Sequence, residues 1–332
     1  MRIAFLGNFT VPYCSEVHYL KTLTKLGHDV VPLQETQTTA SDLVKVLDSG
    51  IDMFFWVHTH GWVTPQIEDF LTMLKVRGIP SVGYHLDLWL GIQREKDLET
   101  DPYWKIQYFF SVDKLMVDLL NSREDMPKAF FLRAGVFEDE CFLGKKREEF
   151  THDVIFVGSR GYHPEWPYRP RLIKWLEKTY GDRFAQYGGG GLGTVRGNDL
   201  NDLYASAKIV VGDTLCKGYE YPEYLSDRIF ETTGRGGFMI HPYITGIENC
   251  FKIGSKLPGG RAIKPDTQEI AVYKFRDFTY LKYLIDYFLK NEDEREAIRL
   301  KGHERTKSEH TYTNRLKEII QTIENEKNVN KQ

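Results

Sequence analysis

The residues best suited to chemistry lie in the stretch Glu223–Pro242, which reads EYLSDRIFETTGRGGFMIHP. Two glutamates, Glu223 and Glu231, stand eight residues apart there. On one helix, Glu223, Asp227 and Glu231 would share a face, because residues four apart are neighbours. Leu225, Ile229 and Phe230 would supply the buried side. Gly234, Gly236 and Gly237 would end the helix and let the strand Phe238-Met239-Ile240 approach closely. A helix start offers unpaired N–H groups and the positive end of a dipole, which favour a diphosphate. A carboxylate further along can accept two hydrogen bonds from ribose hydroxyls. The stretch therefore suits a nucleotide-sugar site. A solvated helix with an acidic stripe would show the same pattern.

Two more polar clusters follow apolar runs. Asp52–His58 leads into Thr59-His60-Gly61-Trp62, and Ile79–Tyr84 leads into His85-Leu86-Asp87-Leu88-Trp89. In an open parallel sheet, ligands sit beyond the carboxyl ends of the strands. If these two strands are neighbours, His60, His85 and Asp87 converge and can orient or deprotonate a hydroxyl. Hydrogen-bonded structural histidines are the alternative. The H-x-H spacing of His58 and His60 has no third ligand nearby, so a metal is not expected.

These clusters must be positioned by alternating strands and helices. Arg2–Gly7 reads as a first strand, Ser15–Leu26 as a helix and Val30–Leu33 as a second strand. Helices over 41–47 and 64–76 alternate with strands over 52–58 and 79–84. A strand at 109–113, a helix at 114–120 and the run Ala129–Leu132 complete the first half. Gly7 opens a loop that is either a tight turn or room for a phosphate or acceptor. Glu138–Glu149 is charged and aperiodic, so a domain boundary is expected there. Its triplet Lys145-Lys146-Arg147 is flanked by acids and reads as solvated linker.

The pattern then restarts. Asp153–Val157 is a strand, followed by Gly158-Ser159-Arg160. Arg160, Arg169 and Arg171 are candidates to pair with phosphate. Further strands are expected at 184–187 and 209–213, with helices at 172–180, 200–206, 275–289, 292–301 and 316–323. Four glycines, Gly188–Gly191, form a loop that is not a Walker A loop, because no G-K-[ST] follows. The tail 324–332 is expected to fray.

Composition limits the alternatives. The 332 residues suffice for two domains. With 41% hydrophobic and 27% charged residues, the chain has an ordinary globular composition. A net charge of −3 gives no global attraction for nucleic acid. Cys14, Cys141, Cys216 and Cys250 are isolated, which fits a reducing compartment and no zinc site. No apolar run reaches the roughly 18 residues of a membrane span, and a cytoplasmic location is expected.

The E-x7-E pattern with its glycine turn and apolar strand resembles the donor site of retaining GT-B glycosyltransferases. More narrowly, S-D-R-I-F-E-T-T-G-R-G-G-F resembles the S-x-R-x-F-E-x-x-x-x-G-x-F pattern of the CgeB-like (spore-maturation protein) glycosyltransferases. F-V-G-S at 156–159, the G-x-E-x-x-F of 246–251 and H-T-Y-x-x-R at 310–315 are similar to that family too, whereas Lys256–Asp266 departs from it. Residues 1–150 match by layout alone, and their L-G-H-D-V opening resembles Rossmann-like domains.

The resemblance implies an α/β fold of two Rossmann-like parallel-sheet domains facing a cleft, with a C-terminal helix crossing back. Residues 1–145 would take the acceptor, 150–310 the donor, and 311–332 would form the crossing helix and tail. It implies a retaining, metal-independent transferase with a UDP-sugar as co-substrate and no bound cofactor. Glu231 would hold the ribose and Glu223 the sugar hydroxyls. Arg228, Arg160 or Arg171, with Gly158, Ser159 and Ser226, would hold the diphosphate. The acceptor stays open among small molecule, glycan, protein and modified DNA. A GT-B epimerase, a binding protein with a dead site and a transferase acting on hydroxymethylated DNA are the competing readings.

Overall fold

The computed structural model describes residues 1–161, 164–214, 223–253 and 267–329. The segment Lys256–Asp266 and the loop Leu215–Pro222 lie outside the described residues. The chain divides into two compact units, Met1–Arg133 with Tyr312–Gln332, and Ala134–Thr311.

The first unit alternates β1 (Arg2–Gly7), α1 (Ser15–Lys25), β2 (Asp29–Gln34), α2 (Ala40–Asp48), β3 (Met53–Trp56), α3 (Ile67–Val76) and β4 (Ser81–His85), then β5 (Tyr108–Ser111), α4 (Lys114–Asn121) and β6 (Lys128–Phe131). Its sheet is parallel, in the order β2-β1-β3-β4-β5-β6. Strands buried on both faces read as unbroken apolar runs, and Ile3–Leu6 and Phe54–Trp56 are fully buried. Phe54 meets Phe70 of α3 edge-on, with ring centroids 5.0 Å apart. Thr39 starts α2 through a capping box with Asp42.

The second unit holds β7 (Val154–Val157), α5 (Tyr168–Tyr180), β8 (Phe184–Tyr187), α6 (Asn198–Ser206), β9 (Ile209–Val211), α7 (Asp227–Gly234), β10 (Met239–Pro242), β11 (Ala271–Tyr273), α8 (Phe278–Lys290) and α9 (Glu292–Glu309). Its sheet is also parallel, in the order β11-β10-β9-β7-β8.

The last helix, α10 (Tyr312–Val329), belongs to the first unit. Tyr312 lies edge-on to Tyr19 of α1 at 4.7 Å. The tail expected to fray from residue 324 instead stays helical to Val329. Polar contacts tie it down: Lys128 Nζ pairs with Glu326 at 2.7 Å, and Lys327 Nζ donates to the Asp52 carbonyl at 3.2 Å.

The charged segment 138–149, expected as linker, packs on α6 inside the second unit. Asn201 Nδ2 donates to the Glu140 and Phe142 carbonyls at 2.8 and 2.7 Å. A Cβ on Gly144 would fall 2.3 Å from the Asn201 carbonyl carbon and oxygen. Backbone cannot give way as a flexible side chain can. Gly144→Ala should therefore cost about 1–3 kcal/mol of stability, read as a lower urea midpoint at unchanged m-value.

Candidate active-site residues

In the second unit, the candidate donor residues gather at the carboxyl ends of β7, β9 and β10. Gly158 follows β7 with φ of +148°, a conformation that favours glycine. Its N–H donates to the Tyr187 carbonyl at 2.7 Å, and its own carbonyl accepts from Gln186 Nε2 at 2.6 Å. A Cβ at this position would sit 3.1 Å from the Arg228 guanidinium carbon. The backbone turn and the arginine are thus in close contact because residue 158 has no side chain.

Asp213, just past β9, is fully buried. Its carboxylate accepts from Arg169 Nε at 3.0 Å to each oxygen and from Trp166 Nε1 at 3.0 Å. Arg169 also donates through NH1 to the Ser159 carbonyl at 3.4 Å. Arg228 NH1 lies 3.7 Å from Asp213 Oδ1, too far for a hydrogen bond. Burial pushes the Asp213 carboxyl up, but the charges of Arg169 and Arg228 outweigh it and hold it below the usual range. Two guanidinium groups therefore face one carboxylate, and the second of them, Arg228, stands beside Gly158.

The start of α7 is fixed by a relay. Burial lowers His241 to about 4, so its ring is neutral at pH 7. Nδ1–H donates to the Pro242 carbonyl at 2.7 Å, which leaves Nε2 to accept from the Thr214 hydroxyl at 3.1 Å. Thr214 Oγ1 in turn accepts the Ser226 N–H at 3.4 Å. Ser226 Oγ is buried and has no hydrogen-bond partner among the described residues.

One expectation needs correction. The helix starts at Asp227, not Glu223. Glu223 has a left-handed φ of +65° and lies in a turn, with its N–H donating to the Thr245 carbonyl at 2.6 Å. It therefore does not share a helix face with Asp227 and Glu231. A Cβ on Gly246 would fall 2.5 Å from Glu223 Cγ, so these residues also pack closely. Glu231 lies on α7 three residues beyond Arg228, on the neighbouring face. Its half-buried carboxylate has no hydrogen bond or ion pair among the described residues. Arg160 turns instead onto Glu177 of α5 in an ion pair, and Arg171 is exposed on α5.

In the first unit, β3 and β4 are neighbours in register Trp56↔Gly83, so their polar ends lie side by side. The Trp89 ring receives His60 and His85 edge-on, at 5.5 and 5.3 Å. Arg94 NH1 donates to His85 Nε2 at 3.0 Å, and Arg94 NH2 lies 3.6 Å from Asp87. Arginine has no acceptor, so Nε2 carries the lone pair. Burial, and then the Arg94 charge, hold the His85 ring well below its ordinary value. His60 Nε2 meets Asp97 Oδ2 at 2.8 Å.

Sequence reasoning passed over Glu35, Asp101, Arg94 and Asp213, and weighed His58 only as half of a metal pair. A lone carboxylate directly after an apolar strand was the available signal for Glu35 and Asp213. Glu35 Oε1 accepts from Trp56 Nε1 and meets His58 Nδ1, both at 2.7 Å, while Oε2 accepts the Thr59 N–H at 2.7 Å. Asp101 Oδ2 lies 3.2 Å from His58 Nε2.

Residues 169–321 match the family model described as glycosyl transferase-like. The chain is a glycosyltransferase. The matched segment spans α5 to α10 and so includes Asp213, Arg228 and Glu231. No curated protein sequence matches this glycosyltransferase. Among solved structures, it is similar to an α-glucosyltransferase in complex with UDP and a 13-mer DNA containing an HMU base. That match has TM-score 0.70 at 12% identity, over 97% of this chain and 98% of the other. It is similar to Alr3699/HepE of Anabaena in complex with UDP-glucose, with TM-score 0.60 at 12% identity over 98% and 100%. Sucrose-phosphate synthase from Thermosynechococcus elongatus matches with TM-score 0.58 at 10% identity over 98% of each chain. At such identities the likeness is one of fold, and the fold is GT-B.

Proposed function

We propose that this glycosyltransferase moves a sugar from a UDP-sugar to a hydroxyl acceptor, with retention at the anomeric carbon and without a metal ion. The observation that carries the reading is the presence, on one helix, of Arg228, which shares Asp213 with Arg169, and of Glu231, whose carboxylate has no hydrogen bond or ion pair among the described residues. Arg228 and the Gly158-Ser159 turn would hold the diphosphate, supplying the charge stabilisation a metal ion gives elsewhere. Glu231 would accept from the two ribose hydroxyls, and Glu223 would lie by the sugar. UDP and UDP-glucose are the ligands of the α-glucosyltransferase and HepE structures, which supports a uridine donor.

In the transfer, the bond between the anomeric carbon and the diphosphate oxygen breaks. The acceptor oxygen bonds to the same carbon, and its proton leaves to the departing diphosphate or to a side chain. Among the residues at the ends of β3 and β4, His85 and Asp87 are the candidates to take that proton, and Arg94 holds both. His85 and His60 would orient the hydroxyl.

A thermal-shift screen of nucleoside diphosphates and nucleotide sugars tests the donor. UDP and a UDP-sugar should raise the melting temperature by mass action, and acceptor-dependent UDP release should follow. Isomerised donor without transfer would establish an epimerase instead. The fold likeness to a DNA-bound α-glucosyltransferase makes hydroxymethylated DNA an acceptor to include, with salt-dependent binding as the sign. Gly158→Ala should weaken UDP binding about tenfold, because the methyl group displaces Arg228 and the left-handed backbone adds strain worth about 1–3 kcal/mol. Unchanged UDP affinity in this variant would place the diphosphate elsewhere.

A further inference from the structure

We propose that His58 is a buried imidazolium acting as a positioning residue, which locks together the loops that carry His60, Asp97 and Arg94 at the carboxyl end of the first sheet. This rests on the reading that those loops serve the acceptor.

Geometry assigns the charge. Nδ1 faces Glu35 Oε1 at 2.7 Å, and Nε2 faces Asp101 Oδ2 at 3.2 Å. Carboxylates only accept, so both ring nitrogens must donate. The His58 and Glu35 side chains are 1% and 0% exposed, and a buried charge persists only when paired. Burial alone would lower the His58 value, but the bonds to Asp101 and Glu35 raise it to about 9. The other titratable groups near the ring are Tyr103, at 5.1 Å between centroids, and His60 and His85.

The three members come from three connections. Glu35 follows β2, His58 follows β3, and Asp101 lies in the long link from β4 to β5. Glu35 also holds the Thr59 N–H at 2.7 Å, next to His60. The Asp101 N–H donates to the Asp97 carbonyl at 3.0 Å, and the Asp97 carboxylate holds His60 at 2.8 Å. Arg94, which holds His85 and Asp87, lies three residues before Asp97 in the same link. One ring thus sets the spacing between the loop after β3 and the link after β4.

The test uses the full chain and Asp101→Asn, which keeps the shape and the Tyr103 N–H acceptor but removes one charge. Ring nitrogen-15 spectra of the wild type should show both His58 nitrogens protonated at pH 7.5. In Asp101→Asn the alkaline titration of that ring should move down from about pH 9. The alkaline limb of acceptor-dependent UDP release should move down with it. Amide exchange over 59–62 and 97–101 should speed up at least tenfold together, while UDP affinity stays within twofold. His58→Gln combined with Asp101→Asn serves if the single variant is poorly folded, and should show the same paired loosening. A singly protonated His58 ring at pH 7.5, or unchanged exchange in both loops, would overturn the proposal. Failure of the wild type to bind UDP would remove the donor reading, and with it any role of His58 in transfer, and is scored separately by calorimetry.

Discussion

Glu231→Ala is expected to weaken UDP-sugar binding about a hundredfold and to leave the melting temperature of the free protein unchanged. The two halves of that result have one cause. The Glu231 carboxylate makes no hydrogen bond or ion pair among the described residues, so its removal breaks none among them. Hydrogen bonds from ribose hydroxyls to a charged acceptor are worth about 1.5–3 kcal/mol each, so two at the weak end of that range, about 3 kcal/mol, supply the hundredfold, which corresponds to about 2.8 kcal/mol. Glu231→Gln keeps an acceptor but loses the charge, so its loss should be smaller. Isothermal titration with UDP and with free diphosphate separates the ribose contribution, because diphosphate affinity should be the same in wild type and Glu231→Ala. A Glu231→Ala protein with wild-type donor affinity would sink the ribose assignment.

The largest stability effect is expected at Arg169. Arg169→Met should cost about 3–5 kcal/mol, measured by chemical denaturation. Its side chain is 6% exposed and its Nε is the closest cation to the fully buried Asp213. Removing it leaves that carboxylate with Trp166 and a guanidinium 3.7 Å away. Arg228→Gln removes the other partner, yet should cost much less stability. Arg228 is 23% exposed and makes no hydrogen bond to Asp213, so its main loss should appear as weaker binding of UDP. The two arginines thus separate by readout: one variant unfolds the second unit, the other empties it of ligand. Equal destabilisation by both would mean that Arg228 is also structural.

Much of the architecture was legible because parallel buried strands leave continuous apolar runs. Ile3–Leu6, Phe54–Trp56 and Ile155–Val157 could hardly be read otherwise. Ala271–Tyr273 was not legible, since a strand of three residues carries too little pattern. The start of α7 was misplaced because the spacing of Glu223 and Glu231 imitates helical periodicity. Nothing in the residue types signals the left-handed backbone at Glu223. Arg228 and Glu231 were singled out from local pattern, but their setting was not. Asp213 meets Arg169 and Trp166 from 44 and 47 residues away, and His58 meets Asp101 from 43. Pairings over such separations are created by sheet order and leave no local signature. The charged segment 138–149 misled for a related reason: Gly144 and Asn201 show their fit only once α6 is in place.

The membership of α10 in the first unit has a consequence for how the chain acquires its structure. Residues 134–311 intervene between the two pieces of that unit. During synthesis the second unit can be completed while the first still lacks the helix that covers Tyr19 of α1. The first unit therefore waits, with Tyr19 of α1 uncovered by Tyr312, until residues 312–332 have been made. Of the two units, the one begun earlier is therefore completed later.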